Sequence, residues 1–352
     1  MLAAAHVRAA LGQSWPPFVL VAGLLLLGQL AGRDGLFDAA ASRLVRVPGE
    51  AVATLLACLA LVALVTALLN LDTAVVFLTP VLLGVAERRR LDPSPFLYGA
   101  IFMANASSLF LPGSNLTNLL VLAGAHRSGG SFLTTMLPAA GAAVLATAVG
   151  LLLIHRRALA AHAAPPALEP PQPIRVGPGL IGAVLAAALI VALQDPALPV
   201  LGLAVVLLAW SAARGRLDPR RALAALGAPT LLVLFALSVA LGVLARSGAV
   251  SLGWLHDAGA PATAGVAALS TVLINNLPSA VLLSSTGHLQ AQALLIGLNV
   301  GPNLAVTGSL AVLLWWRAAR AAGATPSALT YSKQGLLLAP VAIALALLAS
   351  SA

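Results

Sequence analysis

The chain has 352 residues, 60% of them hydrophobic and 8% charged, with a mean hydropathy of +1.01; an ordinary soluble domain carries about 25% charged residues, so a soluble globular protein is excluded and a polytopic membrane protein remains. The net charge of +9 would suit nucleic acid, but the arginines sit in short loops between apolar runs and form no basic face, which excludes that partner too.

A hydrocarbon core about 30 Å thick takes roughly 20 apolar residues per spanning helix. The first uninterrupted span is expected over 16–32, with no A-x-A cleavage site to mark it as a removable signal peptide. Residues 49–86 are apolar around a polar, turn-prone centre, Asn70-Leu71-Asp72-Thr73. Arms of about 10 to 20 residues suit a re-entrant helical hairpin that enters and leaves by one face. Cys58, the single cysteine, lies in the first arm, so a disulfide framework or thiolate zinc site is excluded and a small buried hydrophobe is expected. Residues 96–125 are long enough to span but carry ANASSLFLPGSNLTN, residues 104–118, in mid-segment. A span over 131–154 follows.

A Pro-rich linker, AAPPALEPPQPIRVGP, falls within 155–178, and an extra pair of spans, 179–194 and 197–213, comes next. The remainder repeats the opening order. It holds a span over 228–245 and a hairpin over 261–286 centred on Asn275-Asn276-Leu277-Pro278-Ser279. A broken span over 291–320 carries LNVGPNLAVTGSLAV at 298–312, and a final span covers 333–350. Arg33-Asp34-Gly35 answers Arg246-Ser247-Gly248, Asn70 answers Asn276, and Asn105 with Asn115 answers Asn299 with Ser309. The expected fold is therefore all-α and polytopic, with two inverted-topology repeats, each containing a re-entrant hairpin and a broken helix. Residues 1–154 form the first repeat, 155–178 the linker, 179–213 the extra pair and 214–352 the second repeat.

Placing the linker in the cytoplasm also places loops 33–50, 87–95, 214–227 and 317–333 there. These loops and the linker hold 16 of the 19 Lys and Arg residues and leave Arg8, Arg127 and Arg246 outside. The positive-inside rule supports that orientation, with the first hairpin cytoplasmic, the second external, and the chain multi-pass in the inner (plasma) membrane. Trp15, Trp210, Trp254, Trp315 and Trp316 are expected as interfacial anchors near span ends.

Nine of the ten acidic residues lie in loops or at span ends, and Asp72 is the exception. An intramembrane carboxylate costs several kcal/mol unless paired or hydrated, so Asp72 is the ion-coupling candidate; the competing role is a helix cap. The breaks supply the substrate candidates. Gly113, Gly301, Pro302 and Gly308 permit unwinding, and free N–H groups at half-helix starts favour an anion or an oxygen-rich ligand. Asn105, Ser107, Ser108, Ser114, Asn115, Thr117 and Asn118 line the first break, and Asn299, Asn303, Thr307 and Ser309 the second. Asn70, Thr73, Asn275, Asn276 and Ser279 stand at the hairpin tips. The alternative role for all of these is helix-to-helix glue. Their duplication at matching positions argues for a site.

No Lys or Arg falls in mid-membrane, so a small neutral polyhydroxy solute or a modest anion fits better than a nucleotide. His6, His126, His155, His162, His256 and His288 are scattered at loops with no metal-ligand spacing. They are expected to be solvated, with His288 a candidate for gating. No metal or cofactor is expected. An intramembrane enzyme is disfavoured, since H-E-x-x-H, G-x-S-x-G and a second intramembrane acid are all missing.

Four pieces, NLDTAVVFLTP at 70–80, SNLTN at 114–118, NNLP at 275–278 and GPNLAVTGSLAVLLW at 301–315, resemble the arsenite/antimonite efflux permeases (ArsB-like) of the ion transporter superfamily. That superfamily also includes citrate and dicarboxylate carriers. The resemblance runs over most of the chain from about Pro16. It implies a central site between hairpin tips and helix breaks, and export of trivalent arsenic or antimony in exchange for protons. It also implies partnership with a soluble ATPase subunit in some members; self-association stays open. Asp72 matches the acidic hairpin-tip position of the family, and Asn115 and Asn118 match its SN-x-x-N box. The chain departs where family members often carry acids, at Asn105 and Asn299, and where a basic or polar residue stands at Asn303, which loads proton coupling on Asp72. A carrier of a small organic or inorganic anion, coupled to H⁺ or Na⁺, is the alternative on the same fold.

Overall fold

The computed structural model describes residues 2–123, 128–160, 170, 172–174, 176–215, 228–248, 258–284 and 290–351, and no strand occurs among them. His126, Arg127, His162, Trp254, His256 and His288 lie outside the described residues, as do most of the Pro-rich linker and of loop 214–227. In chain order the helices are α1 (Leu2–Arg33), α2 (Leu36–Leu44), α3 (Ala51–Leu68), α4 (Leu71–Arg88), α5 (Ser94–Ser107), α6 (Leu116–Leu122), α7 (Gly129–Ile154) and α8 (Arg156–Leu159). There follow α9 (Pro178–Ala192), α10 (Ala197–Ala213), α11 (Ala228–Arg246), α12 (Ala260–Ile274), α13 (Asn276–Ser284), α14 (Ala291–Val300), α15 (Leu310–Ala321) and α16 (Ala328–Ser350). Five of them, α1, α3, α7, α11 and α16, are long and apolar enough to cross a bilayer.

The first helix differs from the expected 16–32. It starts at Leu2 and carries Pro16 and Pro17 in its interior. Apolarity begins near residue 16, but the Ala-rich stretch before it is strongly helix-forming and extends the helix backwards.

Side-chain caps set the starts inside the bundle. Asn70 accepts a hydrogen bond from the Thr73 N–H at 2.6 Å and starts α4. Asn115 accepts from the Thr117 N–H at 3.1 Å and starts α6, and Ser309 accepts from the Val312 N–H at 3.3 Å and starts α15. Each cap satisfies a helix-end donor that lipid would leave bare, a contribution of about 1 kcal/mol.

The two repeats meet element on element. Their first spans, α1 and α11, pack together, as do their last spans, α7 and α16, and the opening halves of their broken helices, α5 and α14. The returning arm of the first hairpin, α4, lies against α5 and against α15 of the other repeat. The returning arm of the second, α13, lies against α14 and against α6. Contact between equivalent elements, with each hairpin gripping one half of each broken helix, is the pattern of two repeats about a pseudo-two-fold axis. The pair α9–α10 stands outside this symmetry and packs against α1.

Two details depart from the symmetry read in the sequence. Asn275 is the sole residue between α12 and α13, and its side chain accepts from the Leu277 N–H at 3.3 Å. Asn275, not Asn276, therefore takes the capping part of Asn70, because a one-residue turn leaves the cap no other position. The leading arms are also unequal: α3 has 18 residues, whereas α12 has 15.

Arg89, only 1% exposed, closes the base of the first hairpin by donating to the carbonyls of Val45, Val47 and Gly49 at 2.7 to 3.0 Å. Trp15 and Trp210 are exposed, as interfacial anchors would be, but Trp315 is fully buried. It sits in an aromatic cluster with Tyr98, Phe102 and Tyr331, and its Nε1 donates to the Leu97 carbonyl. Of the two α15 tryptophans that the sequence places near a span end, Trp315 thus turns inward. The buried cluster satisfies the indole N–H, which removes the reason for Trp315 to seek the interface.

Candidate solute site

The first broken helix stops at Ser107, passes through a 3₁₀ turn at Pro112–Ser114, and resumes at Leu116. The second stops at Val300, makes a 3₁₀ turn at Gly301–Leu304, runs irregularly to Ser309, and resumes at Leu310. At the crossing, amides and one hydroxyl form a shared network. Asn299 Oδ1 accepts from Asn115 Nδ2 at 2.8 Å and from the Ser108 hydroxyl at 2.5 Å. Asn299 Nδ2 donates to Asn118 Oδ1 at 2.7 Å and to the Leu295 carbonyl at 2.8 Å. Asn118 Nδ2 donates to the carbonyls of Ser108 and Leu111, and Asn105 Nδ2 donates to Asn303 Oδ1 at 2.7 Å.

Asn105, Ser108, Asn115, Asn118, Asn299 and Asn303 are all buried. In this arrangement the amides bond one another, so the network is closed on itself. Asn105 Oδ1 and Thr117 Oγ1 are buried without a partner among the described residues, and a buried polar atom left unpaired costs about 1–3 kcal/mol. Two clefts beside the first break are lined there by Phe110 and Leu111 in one and by Pro112 in the other.

The other candidates divide into ties and bystanders. Ser114 Oγ donates to the Ala67 carbonyl, which fastens the first break to the end of α3. The Asn276 N–H donates to the Gly308 carbonyl at 2.9 Å, Asn275 Nδ2 to the Thr307 carbonyl, and Thr307 Oγ1 to the Val272 carbonyl, which fastens the second break to the second hairpin tip. Thr307 is exposed and lies outside the amide network. Ser107 bonds back to Met103 and Ala104 in its own helix, and Ser279 bonds back to the Asn275 carbonyl. Small polar side chains in helices commonly satisfy themselves this way. Thr73 is wedged against Gly28 of α1, and its hydroxyl and Asn70 Nδ2 are buried without partners among the described residues. Asp72 is half-buried in the first turn of α4 and makes no hydrogen bond or ion pair among the described residues.

The break glycines act differently from expectation. None of Gly113, Gly301 and Gly308 has a positive φ. Their missing Cβ serves close packing instead: at Gly308 it would lie 2.5 Å from Pro302 Cα, and at Gly301 2.5 Å from Ala268 Cα. Pro302 sits in the 3₁₀ turn, and its carbonyl accepts from the Tyr331 hydroxyl at 3.0 Å.

His155 is buried just past the end of α7, not solvated, and its Nε2 lies 3.2 Å from Gln334 Oε1 on α16. Burial lowers its pKa below 6.5, against the raising effects of the Gln334 hydrogen bond and the Asp92 charge. Sequence reasoning missed this bond and the Tyr331 bond because both partners lie on α16, far along the chain from what they touch.

Residues 2–301 match the citrate transporter family, CitMHS. The chain belongs to that family. This family member is also 30% identical to the arsenical pump membrane protein of Yersinia enterocolitica, over 92% of this chain and 83% of that one. It is 24% identical to a 46 kDa membrane protein of Mycobacterium leprae, over 95% and 85% of the two chains. Its fold is that of the YdaH transporter of Alcanivorax borkumensis, with a TM-score of 0.62 and 14% identity over 98% of this chain and 86% of that one. The protein is a membrane transporter, and its substrate is a small solute.

Proposed function

We propose that this citrate transporter family member exports arsenite or antimonite, taken as the neutral trihydroxide, in exchange for protons. The observation that carries the reading is the uncharged amide network at the crossing of the two broken helices. A trihydroxide offers three O–H donors and three acceptors, and it can replace amide-to-amide hydrogen bonds one for one as the breaks separate. Asn105, Ser108, Asn115, Asn118, Asn299 and Asn303 would hold it. Cys58, the sole thiol, is buried in α3, so no pair of thiolates can trap the metalloid and binding stays reversible. The arsenical pump relative supports the same choice.

Asp72 would carry the coupling proton. It is the one acid at a hairpin tip, and it is uncommitted to a partner among the described residues. The arginine-rich loops would face the cytoplasm of a cell whose inner membrane holds the chain, which orients the chain and leaves the direction of flux to the proton gradient.

The family match also favours a second reading, a carrier of citrate or a related anion. Burying a tricarboxylate takes compensating cations. Arg89, the buried cation nearest the first hairpin, is committed to three carbonyls at the hairpin base.

Flux in proteoliposomes, with arsenite and citrate offered separately under imposed proton or sodium gradients, decides between them. Arsenite movement driven by the proton gradient is expected. Citrate movement with no arsenite movement would overturn the proposal.

A further inference from the structure

The pair α9–α10 has no counterpart in the repeats, yet it touches the first break. The turn between these helices, α1 and α6 enclose a cleft of about 130 Å³. Exposed Gln194 and Asp195 stand at its mouth, Pro16 and Leu119 form walls, and Pro112 lies at its inner end. Pro112 opens the 3₁₀ turn that leads through Ser114 to Asn115 of the amide network. Ile190 of α9 closes this inner end. It is 2% exposed, and a Cβ on Gly113 would lie 2.8 Å from its Cδ1. Its carbonyl is held against Gly129 at the start of α7 so tightly that a Cβ there would lie 2.1 Å away. The plug is therefore fixed in place. α9 leaves the arginine-rich side of the bilayer, so its turn with α10 emerges on the other side.

We propose that this cleft is the outer vestibule of the solute pathway, and that Ile190 is the plug between it and the polar crossing. The inference rests on the reading of that crossing as the solute site. It gives the extra helix pair a task that the repeat symmetry does not supply. The carboxylate of Asp195 at the mouth, with apolar walls behind it, favours a neutral polyhydroxy solute and repels an anion.

The test uses the full chain carrying Cys58→Ser in proteoliposomes of known orientation, with a membrane-impermeant charged methanethiosulfonate as the probe. Leu119→Cys within the cleft is expected to react from the outer face and then to pass arsenite several-fold more slowly. The same reagent on Leu145→Cys, which is exposed on α7, leaves efflux unchanged. Ile190→Val, which removes the plugging Cδ1 while keeping most of the packing, is expected to speed efflux several-fold. Should Leu119→Cys fail to insert, Gln194→Cys at the mouth serves in its place. Reaction only from the inner face, or reaction with unchanged efflux, overturns the vestibule. Labelling as expected in a protein that moves no arsenite at all would leave the vestibule standing and remove the arsenite reading.

Discussion

Asn115 and Asn299, 184 positions apart, share a hydrogen bond of 2.8 Å at the crossing of the two broken helices. Asn299 is the hub: of its four bonds, two accepted and two donated, three join the first break to the second and one returns to the Leu295 carbonyl of its own helix. Asn299→Ala strands Asn115 Nδ2 and Asn118 Oδ1 at once, while the Ser108 hydroxyl keeps the Asn105 carbonyl as its acceptor. A loss of about 1–3 kcal/mol for a buried group left unpaired is expected, seen as a lower melting temperature in detergent, together with a raised KM for transport. Asn115→Ala removes one of those bonds and the α6 cap, so its effect on both should be smaller. Transport kinetics unchanged in both variants would show that the network is packing only.

Asp72→Asn tests coupling apart from folding. The carboxylate makes no hydrogen bond or ion pair among the described residues, and an amide of the same shape keeps the first turn of α4 intact. Insertion and melting temperature should match wild type, while flux stops responding to an imposed pH gradient. A variant still driven by that gradient would take Asp72 out of the mechanism.

Asn275 has φ 76° and ψ 153°, a conformation close to the region that only glycine occupies freely. Its side chain meanwhile bonds the Thr307 carbonyl and the Leu277 N–H. Asn275→Ala keeps the backbone strain and loses both bonds, whereas Asn275→Gly loses the bonds but relieves strain worth about 1–3 kcal/mol. The Gly variant should therefore melt above the Ala variant. Equal melting temperatures would show that the turn stores no strain.

His155 makes stability depend on pH with a definite sign. Its folded-state pKa lies below 6.5 because burial disfavours the imidazolium more than Gln334 and Asp92 favour it. Between the folded and unfolded values the unfolded chain binds more protons, so stability rises with pH. The contribution is complete above 6.5 and drains away as pH falls toward the folded value. Melting scans at decreasing pH should show this loss in wild type and not in His155→Gln. A parallel decline in both would assign the acid sensitivity to other groups.

Much of this architecture is legible in the sequence because lipid makes it so. A helix break in hydrocarbon requires polar partners, and the Asn, Ser and Gly residues at 104–118 and 298–312 advertise both breaks. The caps are less legible: the sequence offers Asp72 for that part, whereas Asn70 and Asn115, read there as solute candidates, cap α4 and α6. Which polar residues face one another is not readable. Ser107 and Thr307 belong to the same clusters as Ser108 and Asn299, but one turns back onto its own helix and the other ties a hairpin to a break. That outcome depends on the rotation of each half-helix about its axis, which is set by α16 and the hairpins packed behind it. The turn at Asn275 shows the same limit, since NNLP offers two amides and only backbone geometry picks the cap. Trp315 was obscured by its place near a span end, although its inward direction follows from the helical face it shares with Ala311, Val312 and Ala319, all buried.

Gly335 sets how closely α16 approaches the second break. A Cβ there would lie 1.7 Å from the Asn303 carbonyl oxygen, so no side chain fits without moving the helix. One turn earlier, Tyr331 presents its hydroxyl to the Pro302 carbonyl at 3.0 Å from the same face. The two residues together press the 3₁₀ turn toward α5, where Asn303 meets Asn105. Gly335→Ala must shift α16 or the turn, which loosens the Asn105 contact. Transport should be largely lost while insertion survives, because α16 retains its packing on α7 along the rest of its length. Tyr331→Phe removes only the hydroxyl, costs about 0.5–1.5 kcal/mol for one hydrogen bond, and should keep transport. If Gly335→Ala transported at the wild-type rate, the position of the turn would not matter to the solute site.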